Sequence, residues 1–209
     1  MTKRTERNRI NDPEGLRQRV LDAAYGAFCT RGYNATSVHD LKREAGATGG
    51  AFSHHYPTKK ELGLAVLETR VADAVEETWI APVRSAATAA SGIAAVFEAI
   101  AQELDEQGTV SGCPLNNLAL ELSRQDDDFR QAIEAIFGRW RSAIADRIRA
   151  DQDAGHPAPP DAEATATFVV AAYSGAMAMA KASQSAEPLR TCARLLGPML
   201  DPNTGSGRT

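Results

Sequence analysis

Cysteine is scarce in this chain: 209 residues hold three, Cys29, Cys113 and Cys192. They are odd in number, widely spaced and form no CxxC pair, which argues against a disulfide scaffold and against structural zinc. Histidine is nearly as sparse, and His54 and His55 are immediate neighbours. On a helix, adjacent side chains point about 100° apart, whereas metal ligands must lie three or four residues apart to converge. Neither a metal site nor a cofactor is therefore expected. No run reaches the roughly 18 apolar residues of a membrane span, and "MTKRTERNRI" lacks the apolar core of a signal peptide. The expected location is the cytoplasm, with no membrane partner. No convincing strand pattern and no internal repeat are present.

What is present is the composition of a globular protein, 43% apolar and 24% charged. The net charge of −4 hides an asymmetry: residues 1–60 carry eleven Lys and Arg against six Asp and Glu, and the remainder twelve against twenty-one. A basic end on an acidic body points to a polyanion partner at that end, although solvated basic helices give the same count.

Periodicity makes the fold all-α. Leu16, Val20, Ala24 and Phe28 recur every four residues, which predicts a first helix stopping near Gly32. Thr36 or Ser37 can cap a second helix with Val38, Leu41 and Ala45 on its apolar face, ending at Gly46. Thr48 then caps a third, which runs to about Tyr56 and is halted by Pro57. Thr58 starts a long helix through Leu62, Val66, Leu67 and Val71. Further helices are expected over 93–107, 114–123, 127–150, 161–185 and 187–200, with "GHPAPPD" as a connection and "DPNTGSGRT" as a disordered tail.

Two short helices joined by a tight glycine turn form a helix-turn-helix, whose second helix enters the DNA major groove while the first braces the backbone. Here these are Thr36 to Ala45 and Thr48 to Tyr56. Phe52 and Tyr56, four apart, face the core together and leave Ala51, Ser53, His54 and His55 partly or wholly outward. A merely solvated helix end is the plain alternative for the two histidines.

The run Gly50, Ala51, Phe52, Ser53, His54, His55, Tyr56, Pro57, Thr58, Lys59, with "RGYNATSVHDLKREAGAT" before it, resembles the TetR family of bacterial transcriptional regulators over about Leu16 to Leu67. The resemblance implies a regulator and not an enzyme, with double-stranded operator DNA as partner. It places Thr48, Gly49, Ala51 and His54 toward base edges and Ser53, His55 and Lys59 toward phosphates. Thr36, Ser37 and His39 begin the bracing helix and can add phosphate contacts; Arg4, Arg7 and Arg9 can reach a minor groove as an arm. Ser53 replaces the usual tyrosine, and Gly49 stands where many relatives carry a polar side chain, so close backbone approach takes the place of side-chain reading.

By the same resemblance, residues 1–60 form the DNA-binding domain and 61–209 a domain that dimerises and holds a small-molecule effector. Phe168 to Ala180 is apolar around its circumference, and Leu189, Ala193, Leu196 and Leu200 stripe its successor, as for two helices pairing with their mates in a homodimer. A twofold axis implies a pseudo-palindromic operator. In "SGCPLNNLALELS", Pro114 fits the first helical position and makes Cys113 the N-cap, where the helix dipole would lower the thiol pKa and suit it to sensing electrophiles; a small buried cap is the other reading. The Gly-Cys start resembles that of a subset of the family. Asn116, Asn117, Trp140, Tyr173 and Met177 are candidates to line a pocket. Two other readings stay open: a small helical thiol enzyme using Cys113, and a DNA-binding dimer with no effector.

Overall fold

The computed structural model describes residues 12–201, and among these there is no strand. The proposed Arg4, Arg7 and Arg9 arm and the tail over 202–209 lie outside the described residues.

Helix α1, Pro13–Arg31, starts at Asp12, whose carboxylate accepts the Gly15 N–H at 2.8 Å, and buries Val20, Leu21, Ala24, Ala27 and Phe28. It ends where expected, at Gly32 with φ of 89°. Helix α2, Val38–Glu44, begins two residues later than the first possible cap, because Ser37 takes that role by accepting the Asp40 N–H. Gly46, at φ of 63°, makes the left-handed turn into α3, Gly49–His55, capped by Thr48.

Helix α4 spans 59–85 and opens with a reciprocal capping box between Thr58 and Glu61. Two π turns widen it, Leu67–Val71 and Glu76–Ile80. At the ends of these turns the Ala72 N–H reaches the Leu67 carbonyl and the Ala81 N–H the Glu76 carbonyl, five residues back. The second lies just before Pro82, which has no N–H to continue the α ladder.

Beyond it come α5 (Ala89–Gln107), α6 (Pro114–Leu122), α7 (Asp127–Asp153), α8 (Ala162–Ser183) and α9 (Glu187–Leu200). Helix α5 starts four residues before its expected position, owing to a Thr88/Ser91 capping box. α8 packs on α7 and α9, and α9 on α5. One continuous core joins all of these to α1–α3. Its centre is aromatic: the rings of Trp79, Trp140 and Tyr173 lie 4.9 to 5.5 Å apart pairwise.

One buried charge holds the start of α5. Asp151, 1% exposed, accepts the Ala89 N–H at 2.6 Å and pairs with Arg147, which also donates to the Ala87 carbonyl. Asp151→Ala leaves that amide without its acceptor and the arginine without its ion-pair partner. It should lower unfolding free energy by about 3 kcal/mol, read from the urea midpoint.

Candidate nucleic-acid interface and adjoining cavity

Helix α3 divides as its spacing demands. Phe52 and Tyr56 are buried; Thr48, Gly49, Gly50, Ser53 and His54 are exposed, and Ala51 and His55 are half-buried. The two imidazoles stand edge to face at 5.3 Å. At the start of α1, hydrogen bonds from Gln18 and Arg17 hold the Glu14 carboxyl below its ordinary range. His39 on α2 projects into solvent.

A Cβ at Gly49 or Gly50 would touch nothing of the protein. Neither glycine has a positive φ, so neither the backbone nor internal packing requires them. Their smallness faces outward.

Three expected contact residues are engaged inside the protein. Thr36 is buried, with its hydroxyl donating to the Gly32 carbonyl at 2.7 Å, so it belongs to the α1–α2 loop and not to the outer face. Ser37 is occupied by its cap: its hydroxyl accepts the Asp40 N–H and donates to the Asp40 carboxylate at 2.6 Å. That hydrogen bond, with Arg43 beside it, keeps Asp40 below its ordinary pKa. Lys59 donates to the Tyr33 carbonyl at 2.6 Å and sits 4.3 Å from the Tyr33 ring centroid, and burial pushes its pKa down. It therefore ties α4 to the α1–α2 loop, a role that its place in the motif did not reveal.

That loop is held from the body as well. The Glu121 carboxylate, at the end of α6, accepts the Tyr33 N–H at 2.9 Å and the Asn34 N–H at 2.6 Å. Phe129 of α7 packs edge-on against Tyr33 at 5.2 Å. A Cβ at Gly63 would come within 2.8 Å of both rings, so only glycine lets α4 pass. Lys60 adds ion pairs to Asp126 and Asp128 at 2.6 and 2.8 Å. Among sequence signals, only Gly63 within a helical pattern hinted at this junction.

The other end of α6 forms the wall of a cavity of about 60 Å³. Cys113, Pro114 and Leu115 meet Trp140 of α7 and Tyr173 of α8 there. The π-widened part of α4 supplies Thr78 and Trp79 with Val71, Ala74 and Val75, none of which was expected to line a pocket. Of the six expected pocket residues, Cys113, Trp140 and Tyr173 line it. Asn116, Asn117 and Met177 do not; Asn117 instead donates to the Ser111 carbonyl at 3.1 Å.

Cys113 is the N-cap of α6, but its side chain makes no capping bond and is buried. Burial pushes its thiol up, outweighing the hydrogen bonds from the Asn116 and Leu115 backbone that pull it down. The expected activation by the helix end is thus overturned by desolvation. Cys29 is likewise pushed up by burial, to about 11. Among the described residues no three His, Cys, Asp or Glu side chains form a metal-holding group, and no helix is long and apolar enough to cross a membrane.

A capped pair of short helices presenting an exposed second helix, joined to a helical body with a partly open cavity, is the architecture of a helix-turn-helix protein. Residues 20–66 match the description "Bacterial regulatory proteins, tetR family", and residues 89–195 match the C-terminal domain of LmrA/YxaF-like transcriptional regulators. The chain belongs to the TetR family and is a DNA-binding transcriptional regulator. It is 28% identical over 184 residues to the HTH-type transcriptional repressor DhaR of Mycobacterium sp. strain GP1, covering 83% of this chain and 86% of that one. To the transcriptional regulator AcuR of Cereibacter sphaeroides it is 26% identical, covering 86% and 83%. The crystal structure of reduced E. coli NemR superposes with a TM-score of 0.81 at 21% identity, over 88% of this chain and 96% of that one.

Two outcomes follow from this geometry. Gly50→Ala should add up to about 1 kcal/mol of helix stability yet weaken operator binding, as seen by comparing thermal melts with gel shifts; unchanged DNA affinity would refute an outward purpose for the glycine. Iodoacetamide at pH 7.5 should leave Cys29 and Cys113 unmodified in the folded protein, checked by peptide mass spectrometry, because both thiols stay protonated there.

Proposed function

We propose that the protein is a homodimeric repressor, acting in the cytoplasm on a pseudo-palindromic operator and released from it by a small molecule bound in the α4/α6/α7/α8 cavity. The observation that carries this reading is that one helix, α6, touches both ends of the process. Its first residues line the cavity, and its Glu121 holds the loop that orients α2 and α3. At about 1.5 Å per residue the nine-residue helix is roughly 13 Å long and moves as a rod. A ligand displacing its start shifts Glu121 against the Tyr33 and Asn34 amides, and favours a state whose recognition helices no longer match successive grooves.

In this reading residues 1–60 read DNA and 61–209 dimerise and sense, with α4 running across the division. Thr48, Gly49, Ala51 and His54 meet bases, and Ser53, His55 and His39 meet phosphates. Lys59 acts through the loop it anchors.

A dimer is supported by the outer face of α8. Ala164, Phe168, Ala171, Gly175 and Met179 are all exposed and recur every three or four residues, and beside them α9 exposes Leu195 and Met199. This apolar stripe needs a partner of the same kind to leave water, and a second copy provides one.

Selection from a random DNA pool should return a palindrome with half-sites about one helical turn apart; recovery of no symmetric motif would sink the reading. Gly175→Glu, at an exposed position, should fold but elute as a monomer in light-scattering chromatography and lose operator affinity. Glu121→Gln should fold and still bind ligand, while the ratio of operator affinities without and with ligand falls at least fivefold.

A further inference from the structure

Helix α8 ends on a glutamine held in a conformation that glutamine disfavours. Gln184 stands at φ of 51° and ψ of 44°, and among the described residues it alone combines a side chain with a positive φ. Glycine or asparagine takes this left-handed C-cap position with little strain, whereas glutamine has neither glycine's freedom nor asparagine's short local bonds. Its backbone N–H closes the helix on the Ala180 carbonyl, which any residue but proline could do. The reason for a glutamine here therefore lies in its side chain.

That side chain is fully engaged. Nε2 donates to the Lys181 carbonyl at 2.7 Å and to the Val110 carbonyl at 3.2 Å, while Oε1 accepts the Val110 N–H at 3.1 Å. The amide uses both its hydrogens, and it grips both backbone groups of one residue 74 positions away, as a neighbouring strand would. Val110 is buried and sits between Gly108 and Gly112, whose φ of 66° and 88° turn the chain at each end of the segment leading into α6. A second contact lies beside the first. A Cβ added to Gly112 would come within 3.1 Å of Lys181 Cδ and 3.2 Å of the Asn117 amide, so the start of α6 is seated on the last turn of α8.

We propose that Gln184 is a positioning residue for DNA recognition: its amide fixes the start of α6, and with it the angle at which Glu121, at the other end of α6, presents α2 and α3. The proposal rests on the reading of α6 as the rod that orients the α1–α2 loop, and adds that the rod is set from α8 with no ligand present. No helix or strand holds residues 108–113, so without the amide α6 keeps its helical form and loses its fixed origin. The same α8 carries the exposed apolar stripe ending at Met179, which places the face proposed to meet a second copy and the hold on α6 on one helix.

The test uses the full chain without ligand and the operator recovered from the random pool. Gln184→Gly keeps the left-handed turn and deletes the amide; Gln184→Asn keeps the turn with an amide one methylene too short. Both should melt near the native temperature and weaken operator binding about fivefold. Hydrogen exchange should rise about tenfold at the Val110 amide and at the Tyr33 and Asn34 amides, with α9 unaffected. Because Gln184 acts through Glu121, the Gln184→Gly, Glu121→Gln double variant should bind operator no more weakly than the weaker of the two single variants. Faster exchange at Val110 alone, native operator affinity in both Gln184 variants, or additive losses would each overturn the proposal. If Glu121→Gln leaves exchange at Tyr33 and Asn34 native, the reading of α6 as the rod fails and the proposal with it. If Glu121→Gln raises exchange there and Gln184→Gly does not, the rod stands and only the role of Gln184 fails.

Discussion

The loop between α1 and α2 is where this molecule is joined, and the joint is a carboxylate on two backbone amides. Glu121 comes from a helix almost ninety positions further along the chain, yet it accepts the Tyr33 and Asn34 N–H groups as an extra helix end might. Charge-assisted bonds of this kind are directional, so the orientation of α2 and α3 follows that of α6. Phe129 on the Tyr33 ring and Lys59 on its carbonyl complete the grip, and Gly63 makes room for it. Remove any of these and the recognition helix remains a helix, but its direction relative to the body is no longer set.

Helix α6 also joins that loop to the cavity. Helix α6 is bracketed by a glycine of φ 88° at Gly112 and by the short connection to α7, so it is tethered at both ends while sharing the cavity wall at one. Opposite it, the π turns of α4 and the α turn between them bring Val71, Val75 and Trp79 to the cavity from a helix that also begins the body. Of the four helices lining the cavity, α4 and α6 also reach toward the DNA-reading unit.

Desolvation governs the chemistry of the interior. A helix start lowers a thiol's pKa when water and amides can reach it, but Cys113 is enclosed by rings and the cost of burying a thiolate is larger. Lys59 moves down for the same reason.

Local physics made much of this legible without coordinates. Capping hydroxyls at Ser37, Thr48 and Thr58, the glycine turn at Gly46, and the four-residue spacing of Phe52 and Tyr56 depend on neighbours within one turn, so the helix-turn-helix and its outward face could be read from the chain directly. Trp140 and Tyr173, expected among the pocket residues, do line the cavity. What needed the tertiary structure were the relations between distant segments: that Thr36 faces inward, that Glu121 meets residue 33, that Trp79 and not Met177 closes the cavity, and that Cys113 is starved of water. Spacing along a chain fixes which face of a helix is apolar, but not what that face will meet; only the packing of α4, α6, α7 and α8 decided that.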